Sequence, residues 1–178
     1  ENLTLAPETE MEPTDENLLL PAFRYGTSEF LKAIGASKVV IGVSGGIDSA
    51  VNAALYRSIL PAENILLVNT PTRYNSELTK GLAAELAKNL GCQLLTVPIG
   101  DFIDETADAL EGLPLPDDTV HLTGFMKENM QARDRSSRIL AALSAAFGGI
   151  FTCNANKTET TVGYGTLYGD LAGAFAAT

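Results

Sequence analysis

The chain has 178 residues, 46% of them apolar and 19% charged, and carries a formal net charge of −10. That length supports one domain with a real core, and the acidic balance excludes a surface built for nucleic acid, which needs clustered cations. No apolar run approaches the roughly 20 residues of a membrane span and no signal-peptide pattern opens the chain, so the sequence reads as a cytoplasmic protein with no membrane partner.

The charge is unevenly spread. Glu1, Glu8, Glu10, Glu12, Asp15 and Glu16 stand among the first residues without one base, and the remainder carries only −4. With Pro7 and Pro13 this stretch, residues 1–16, reads as a solvated linker or tail ahead of a single domain, residues 17–178. Opening on Glu1 rather than Met, the chain is expected to be a piece of something longer.

Residues 16–34 predict a helix carrying Phe23, Phe30 and Leu31, broken or turned near Pro21 and Gly26 and ended by Gly35. Lys38 to Val43 is a β-branched apolar run without polar alternation, the signature of a strand buried on both faces of a parallel sheet. Ser44-Gly45-Gly46-Ile47-Asp48-Ser49 follows, a glycine turn leading into a helix that stops at Pro61. Its apolar positions Ile47, Val51, Ala54 and Leu55, with Ser58, fall on one predicted face. A strand, a glycine turn and a helix aim backbone N–H groups and the positive end of a helix dipole at one point, which makes an anion site. The spacing fits neither a Walker A loop nor the dinucleotide fingerprint; the plain alternative is a tight βα turn.

Residues 65–68 predict a second buried strand, followed by a loop containing Arg73. A helix capped by Ser76 comes next, with a stripe of Leu78, Leu82, Leu86 and Leu90 and a stop at Gly91. Residues 93–97 predict a third strand and 101–110 a short helix. Residues 111–123, with Pro114, Pro116 and the only histidine, His121, form a loop long enough to suspect a lid or substrate loop; His121 reads as structural or solvent-facing. One long helix over 125–147, Gly148-Gly149 and a fourth strand over 150–153 complete the pattern. Cys92 and Cys153, without a CxxC or a histidine partner, read as buried reduced thiols. No Ser-His-Asp or Cys-His set can be assembled, so no nucleophilic glutaminase is encoded in these residues.

Strands alternating with helices predict an α/β fold, a doubly wound parallel sheet with helices on both faces; if it grows outward as 3-2-1 and then reverses, strand 4 stands beside strand 1 and the two flank the switch point. Ligands in such sheets bind beyond the carboxyl ends of the strands where the order reverses. Residues after the fourth strand are therefore expected to face the same pocket as Ser44 to Ser49.

Three stretches carry a more specific resemblance. Ser44–Ser49 resembles the pyrophosphate loop of N-type ATP pyrophosphatases. Together with Glu128-Asn129-Met130-Gln131-Ala132-Arg133 and the segment from Asn154-Ala155-Asn156-Lys157-Thr158-Glu159 to Gly169-Asp170, it resembles the synthetase domain of the NAD synthetases, the glutamine-dependent branch above all. The likeness runs from about residue 17 to 174. It implies a Rossmann-like fold of the adenine nucleotide alpha hydrolase type, ATP and Mg2+ as cofactors, and nicotinic acid adenine dinucleotide and ammonia as reactants. It also implies an N-terminal glutaminase domain in the full-length protein and a homo-oligomer.

By the same resemblance, Gly42, Val43, Ser44, Gly45, Gly46, Ile47, Asp48 and Ser49 are the ATP loop, and Asp48 and Glu159 are magnesium ligands. Asn154 contacts ATP through its amide or only its backbone. Asn129 and Arg133 contact the dinucleotide, and Asp48 and Arg133 carry the catalytic assignment. Arg73 reaches ATP or stays on the surface. The plain alternatives are that Arg133, Arg135 and Arg138 form a solvated helix face, a reading that suits Arg138 better than Arg133, and that Lys157 and Glu159 form an exposed ion pair. The family domain continues past Thr178, which leaves turnover by this chain alone open. Rival readings are another pyrophosphatase-loop ligase, such as GMP synthetase or a tRNA thiolation enzyme, and a non-catalytic ATP-binding module. The acidic surface and the missing CxxC argue against tRNA.

Overall fold

A computed structural model describes residues 16–72 and 77–177. Four parallel strands form the sheet: β1 (Val39–Gly42), β2 (Ile65–Asn69), β3 (Gln93–Thr96) and β4 (Ile150–Phe151), in the order β3-β2-β1-β4. Val39 pairs with Ile65 on one side and Ile150 on the other, and Leu66 pairs with Gln93. The order reverses between β1 and β4, so the condition set for a shared pocket after these two strands is met.

Val39, Val40 and Ile41 are fully buried, because both faces of β1 are covered. Val39 and Ile41 pack with Leu31 of α1 (Glu16–Ala33), with Ala53, Leu55 and Tyr56 of α2 (Ile47–Arg57), and with Ala83 and Ala87 of α3 (Glu77–Leu90). Val40 faces the other way. It joins Leu66, Val68, Ile139 and Leu140 in a second cluster under the long helical stretch. α4 (Gly100–Leu110) lies before that stretch in the chain, and among the described residues no helix is long and apolar enough to cross a membrane.

The helices differ from expectation in four respects. α1 is continuous through Pro21 and Gly26. Proline removes one hydrogen bond in the second turn and Gly26 weakens the helix by about 1 kcal/mol, but burial of Thr27 and Leu31 holds the rod together. On α2 the buried residues are Ser49, Asn52, Ala53, Leu55 and Tyr56, whereas Ile47 and Val51 are 73% and 48% exposed. The buried stripe begins on two polar side chains, which apolar periodicity cannot find. On α3 Ala83 and Ala87 are buried in the core and Leu86 and Leu90 of the expected stripe pack against it, while Leu82 lies in solvent; small side chains let the helix approach closely. Ser76 and the side chain of Leu78 lie outside the described residues, as does Arg73.

The fourth difference concerns the long helix. It runs as α5 (Gly124–Arg133), seven π-helical residues Asp134–Leu140, and α6 (Ala141–Phe147). It ends at Gly148, whose φ of 75° suits a residue without Cβ. After β4 a short helix, α7 (Lys157–Val162), is followed by a return segment in which Ala176 bridges Cys153 in parallel. Phe175 of that segment stacks on Phe30, ring centroids 4.4 Å apart.

Candidate functional site

The chain leaves β1 through Ser44 and turns at Gly45, φ 87°, a conformation that suits glycine. α2 opens on Gly46, which offers no side-chain cap. The first N–H groups of the helix are thus left pointing out of its positive end, where an anion is stabilised. Ser44 and Ser49 fix the loop from within. The Ser44 N–H donates to Ser49 Oγ at 3.3 Å, the Gly46 N–H to Ser44 Oγ at 3.2 Å, and Ser49 Oγ–H to the Gly46 carbonyl at 3.0 Å.

The segment after β4 reaches the same place. Asn154 Nδ2 donates to the Gly42 carbonyl at 2.6 Å, and its Oδ1 accepts from Asn52 Nδ2 at 2.6 Å and Thr152 Oγ1 at 3.0 Å. Its amide is therefore engaged in joining β4, β1 and α2. Two residues on, Asn156 caps α7, its Oδ1 accepting from the Thr158 and Glu159 N–H groups. Glu159 Oε2 accepts in return from the Asn156 N–H at 2.7 Å, which completes a capping box. The same Asn156 donates through Nδ2 to Asp48 Oδ1 at 3.2 Å. Asp48 and Glu159 are thereby tied to one residue and line one cleft of about 260 Å³ with Ser44, Ser49 and Asn154.

Of the residues expected to form the loop site, Gly42, Val43, Ser44, Asp48, Ser49, Asn154 and Glu159 meet in this cleft. Gly45, Gly46 and Ile47 sit in its turn, with the Ile47 side chain in solvent. Lys157 is not paired with Glu159, whose described partner is the Asn156 backbone. Asn129 and Arg133 lie elsewhere. They border a second hollow with Phe125, Met126 and Met130 and hold the return segment: Thr166 Oγ1 donates to Asn129 Oδ1 at 2.9 Å, and Arg133 Nε to the Leu167 carbonyl at 3.2 Å. Ser137 Oγ donates to the Tyr168 carbonyl, and Tyr168 is held at a positive φ of 61°.

Sequence reasoning passed over Arg135, Ser136, Asp170 and the end of β2, Asn69 and Thr70, which also line the cleft. For Arg135 the solvated helix face is one alternative from sequence, and the structure instead sets it in the cleft lining. Burial pushes its guanidinium down from the ordinary value, against the opposing pull of Asp170 and Asp134, yet an arginine stays charged in protein. Gly42 lets the π-helical stretch close over β1: a Cβ there would lie 3.1 Å from Leu140 Cδ1. Among the described residues no three His, Cys, Asp or Glu side chains form a metal cage.

A family model described as NAD synthase matches residues 24–178. The glutamine-dependent NAD(+) synthetase of Synechocystis sp. is 39% identical over 163 residues, which is 92% of this chain and 28% of that protein. A solved structure of glutamine-dependent NAD+ synthetase from Acinetobacter baumannii in complex with ADP superimposes with a TM-score of 0.82 at 32% identity, over 95% of this chain and 31% of that one. NH3-dependent NAD synthetase from Campylobacter jejuni gives 0.80 at 29% identity, over 92% and 66%. The chain thus spans under a third of the length of these two glutamine-dependent relatives. The sheet order that reverses beside β1 and the glycine turn at its end are what that match over most of the sequence leads one to expect, and the chain belongs to the NAD synthase family.

Proposed function

We propose that this chain is the ATP-dependent synthetase part of a glutamine-dependent NAD synthetase. The substrate is nicotinic acid adenine dinucleotide. Its carboxylate attacks the α-phosphorus of ATP, the bond to the β-phosphate oxygen breaks, and pyrophosphate leaves with that electron pair. Ammonia then attacks the acyl carbon of the adenylate, AMP departs, and one proton is released with the amide. One observation carries the reading: Asp48 and Glu159, far apart in sequence, meet through Asn156 beside the open end of α2.

The open N–H groups of the loop bind the phosphates and the charge that grows on the leaving pyrophosphate. Asp48 and Glu159 would hold Mg2+, which binds through one or two carboxylates together with substrate phosphates. The donor set fits, because each carboxylate has one oxygen engaged with Asn156 and the other without a partner among the described residues. Such an ion neutralises phosphate charge when bound. Asn154 shapes the ATP site by fixing Gly42, and Ser49 lines it. The hollow of Asn129 and Arg133 takes the dinucleotide, and Arg133 orients it for attack.

In the full-length protein an N-terminal glutaminase domain supplies ammonia, the assembly is a homo-oligomer, and the enzyme works in the cytoplasm. The relatives' glutamine dependence and the ADP in the A. baumannii structure support this reading. The test is pyrophosphate release from ATP-Mg2+, with and without the deamidated dinucleotide, by the full-length protein supplied with ammonia. Release that requires the dinucleotide is expected. ATP binding without any response to the dinucleotide would instead mark an ATP-binding module.

A further inference from the structure

The long helical stretch carries three arginines with three destinations. Arg133 donates to the Leu167 carbonyl. Arg138 pairs with Asp134 and lies 4.3 Å over the ring centroid of Phe102. Arg135 has neither kind of partner. It lines the loop cleft beside Ser136 and Asp170, and its Nε is buried with no hydrogen-bond partner among the described residues. Native structures leave few buried donors unpaired, and a charged one needs a reason.

The backbone is wound to deliver it. Asp134–Leu140 is π-helical, a winding that recurs at functional sites, and the wider turn brings Arg135, Ser136 and Leu140 to the cleft together. This stretch covers the face of the sheet opposite α2, so Arg135 enters from across the cleft. Among the described lining residues it is the single base, against Asp48, Glu159 and Asp170. A polyanion entering this cleft meets helix N–H groups on one wall and needs a fixed cation on the other.

We propose that Arg135 is a phosphate ligand of this cleft, donating from its guanidinium to an oxygen of a bound adenosine polyphosphate on the wall facing the glycine turn. The inference rests on the nucleotide reading above, and adds to it a residue and a direction of approach. The competing role is purely internal: Arg135 balances Asp170 and Asp134 and touches no ligand. The two roles differ in selectivity. A ligand contact is lost only for molecules that carry phosphate, whereas a structural defect weakens every ligand.

The experiment is calorimetric titration of this chain and its R135M and R135K variants with ATP, ADP and adenosine, each with Mg2+. R135M is expected to weaken ATP and ADP by about tenfold or more, the loss of a charge-assisted hydrogen bond, with adenosine unchanged. R135K recovers part of the loss, because an ammonium keeps charge but not the planar edge. Equal weakening of all three ligands, or none, overturns the proposal. Should circular dichroism show R135M misfolded, R135K decides alone by the same selectivity. An unmutated chain that binds no adenine nucleotide overturns the nucleotide reading and this proposal together; one that binds, with R135M binding equally well, overturns only the proposal.

Discussion

Asn156 donates through its side-chain amide to Asp48 Oδ1 at 3.2 Å, although 108 positions separate the two residues. The contact joins the mouth of α2 to the start of α7 and sets where both acids of the cleft stand.

Replacing Asn156 with Ala removes the cap of α7 and the tie to Asp48 at once. A lost cap costs about 1 kcal/mol, which lowers the melting temperature by about 2–4 °C in a domain of this size. Asn156→Ser restores the cap but does not reach Asp48, so its melting temperature returns toward the parent. Thermal unfolding followed by circular dichroism checks both, and a fully stable Asn156→Ala would contradict the capping geometry.

Asp48→Asn keeps the size of the side chain and removes its charge. In the full-length protein it is expected to abolish pyrophosphate release while leaving the thermal midpoint nearly unchanged. Undiminished release would remove Asp48 from the metal assignment.

Asn154 accepts from Asn52, which is completely buried, and donates to the Gly42 carbonyl. Asn154→Ala leaves those buried groups short of a partner, and each orphan costs about 1–3 kcal/mol. Urea denaturation is expected to show destabilisation of about 2–3 kcal/mol, with little change in slope. A cycle with Asn52→Ala should show that the two substitutions do not add.

Tyr56 gives the opposite expectation. Its ring is fully buried and its hydroxyl has no hydrogen-bond partner among the described residues; burial pushes the phenol pKa upward. Tyr56→Phe removes an unsatisfied polar atom and keeps the packing. Stability should hold or rise by up to about 1 kcal/mol, measured by urea midpoint. A clear loss would mean that the hydroxyl has a partner, such as a bound water.

The loop after α4 carries a pH-sensitive tie. Glu111 accepts from the Leu122 N–H and from His121, each at 3.0 Å. First that backbone bond and then His121 hold its carboxyl below the ordinary value. A lowered carboxyl favours the folded loop above the ordinary pKa of about 4.3, and that contribution is lost as pH falls through the lowered value. Amide-exchange protection at Leu122 is expected to drop in acid, and Glu111→Gln should abolish the pH dependence.

Much of this architecture is legible in the residues themselves. Runs such as Val39-Val40-Ile41 and Ile65 to Val68 are continuous because both sheet faces are covered, so a parallel sheet between helix layers follows, and the reversal beside β1 is the order assumed for it. The helix faces are harder. α2 buries Ser49 and Asn52 to serve the cleft while Leu55 of its apolar stripe is also buried, and α3 buries Ala83 and Ala87 with Leu86 and Leu90 packed beside them, so a search for apolar stripes finds each buried face only in part. The π-helical winding has no apolar signature either. It places Arg135 and Ser136, two adjacent residues, in one cleft where an α-helix of standard pitch turns by about 100° per residue. The capping role of Asn156 is legible in sequence, since Asn-Lys-Thr-Glu carries the cap and its reciprocal acid at the expected spacing.

The tie between Asn154 and Gly42 spans 112 positions, and that distance has a consequence for synthesis. On a ribosome the glycine turn emerges long before the residues that finish its far wall. Until β4 arrives, β1 presents one unpaired edge to the surroundings, and contacts so remote in sequence form slowly. The nascent chain therefore passes through an interval when its central strand is open to wrong partners, and chaperone demand should peak there and fall once Ile150 docks.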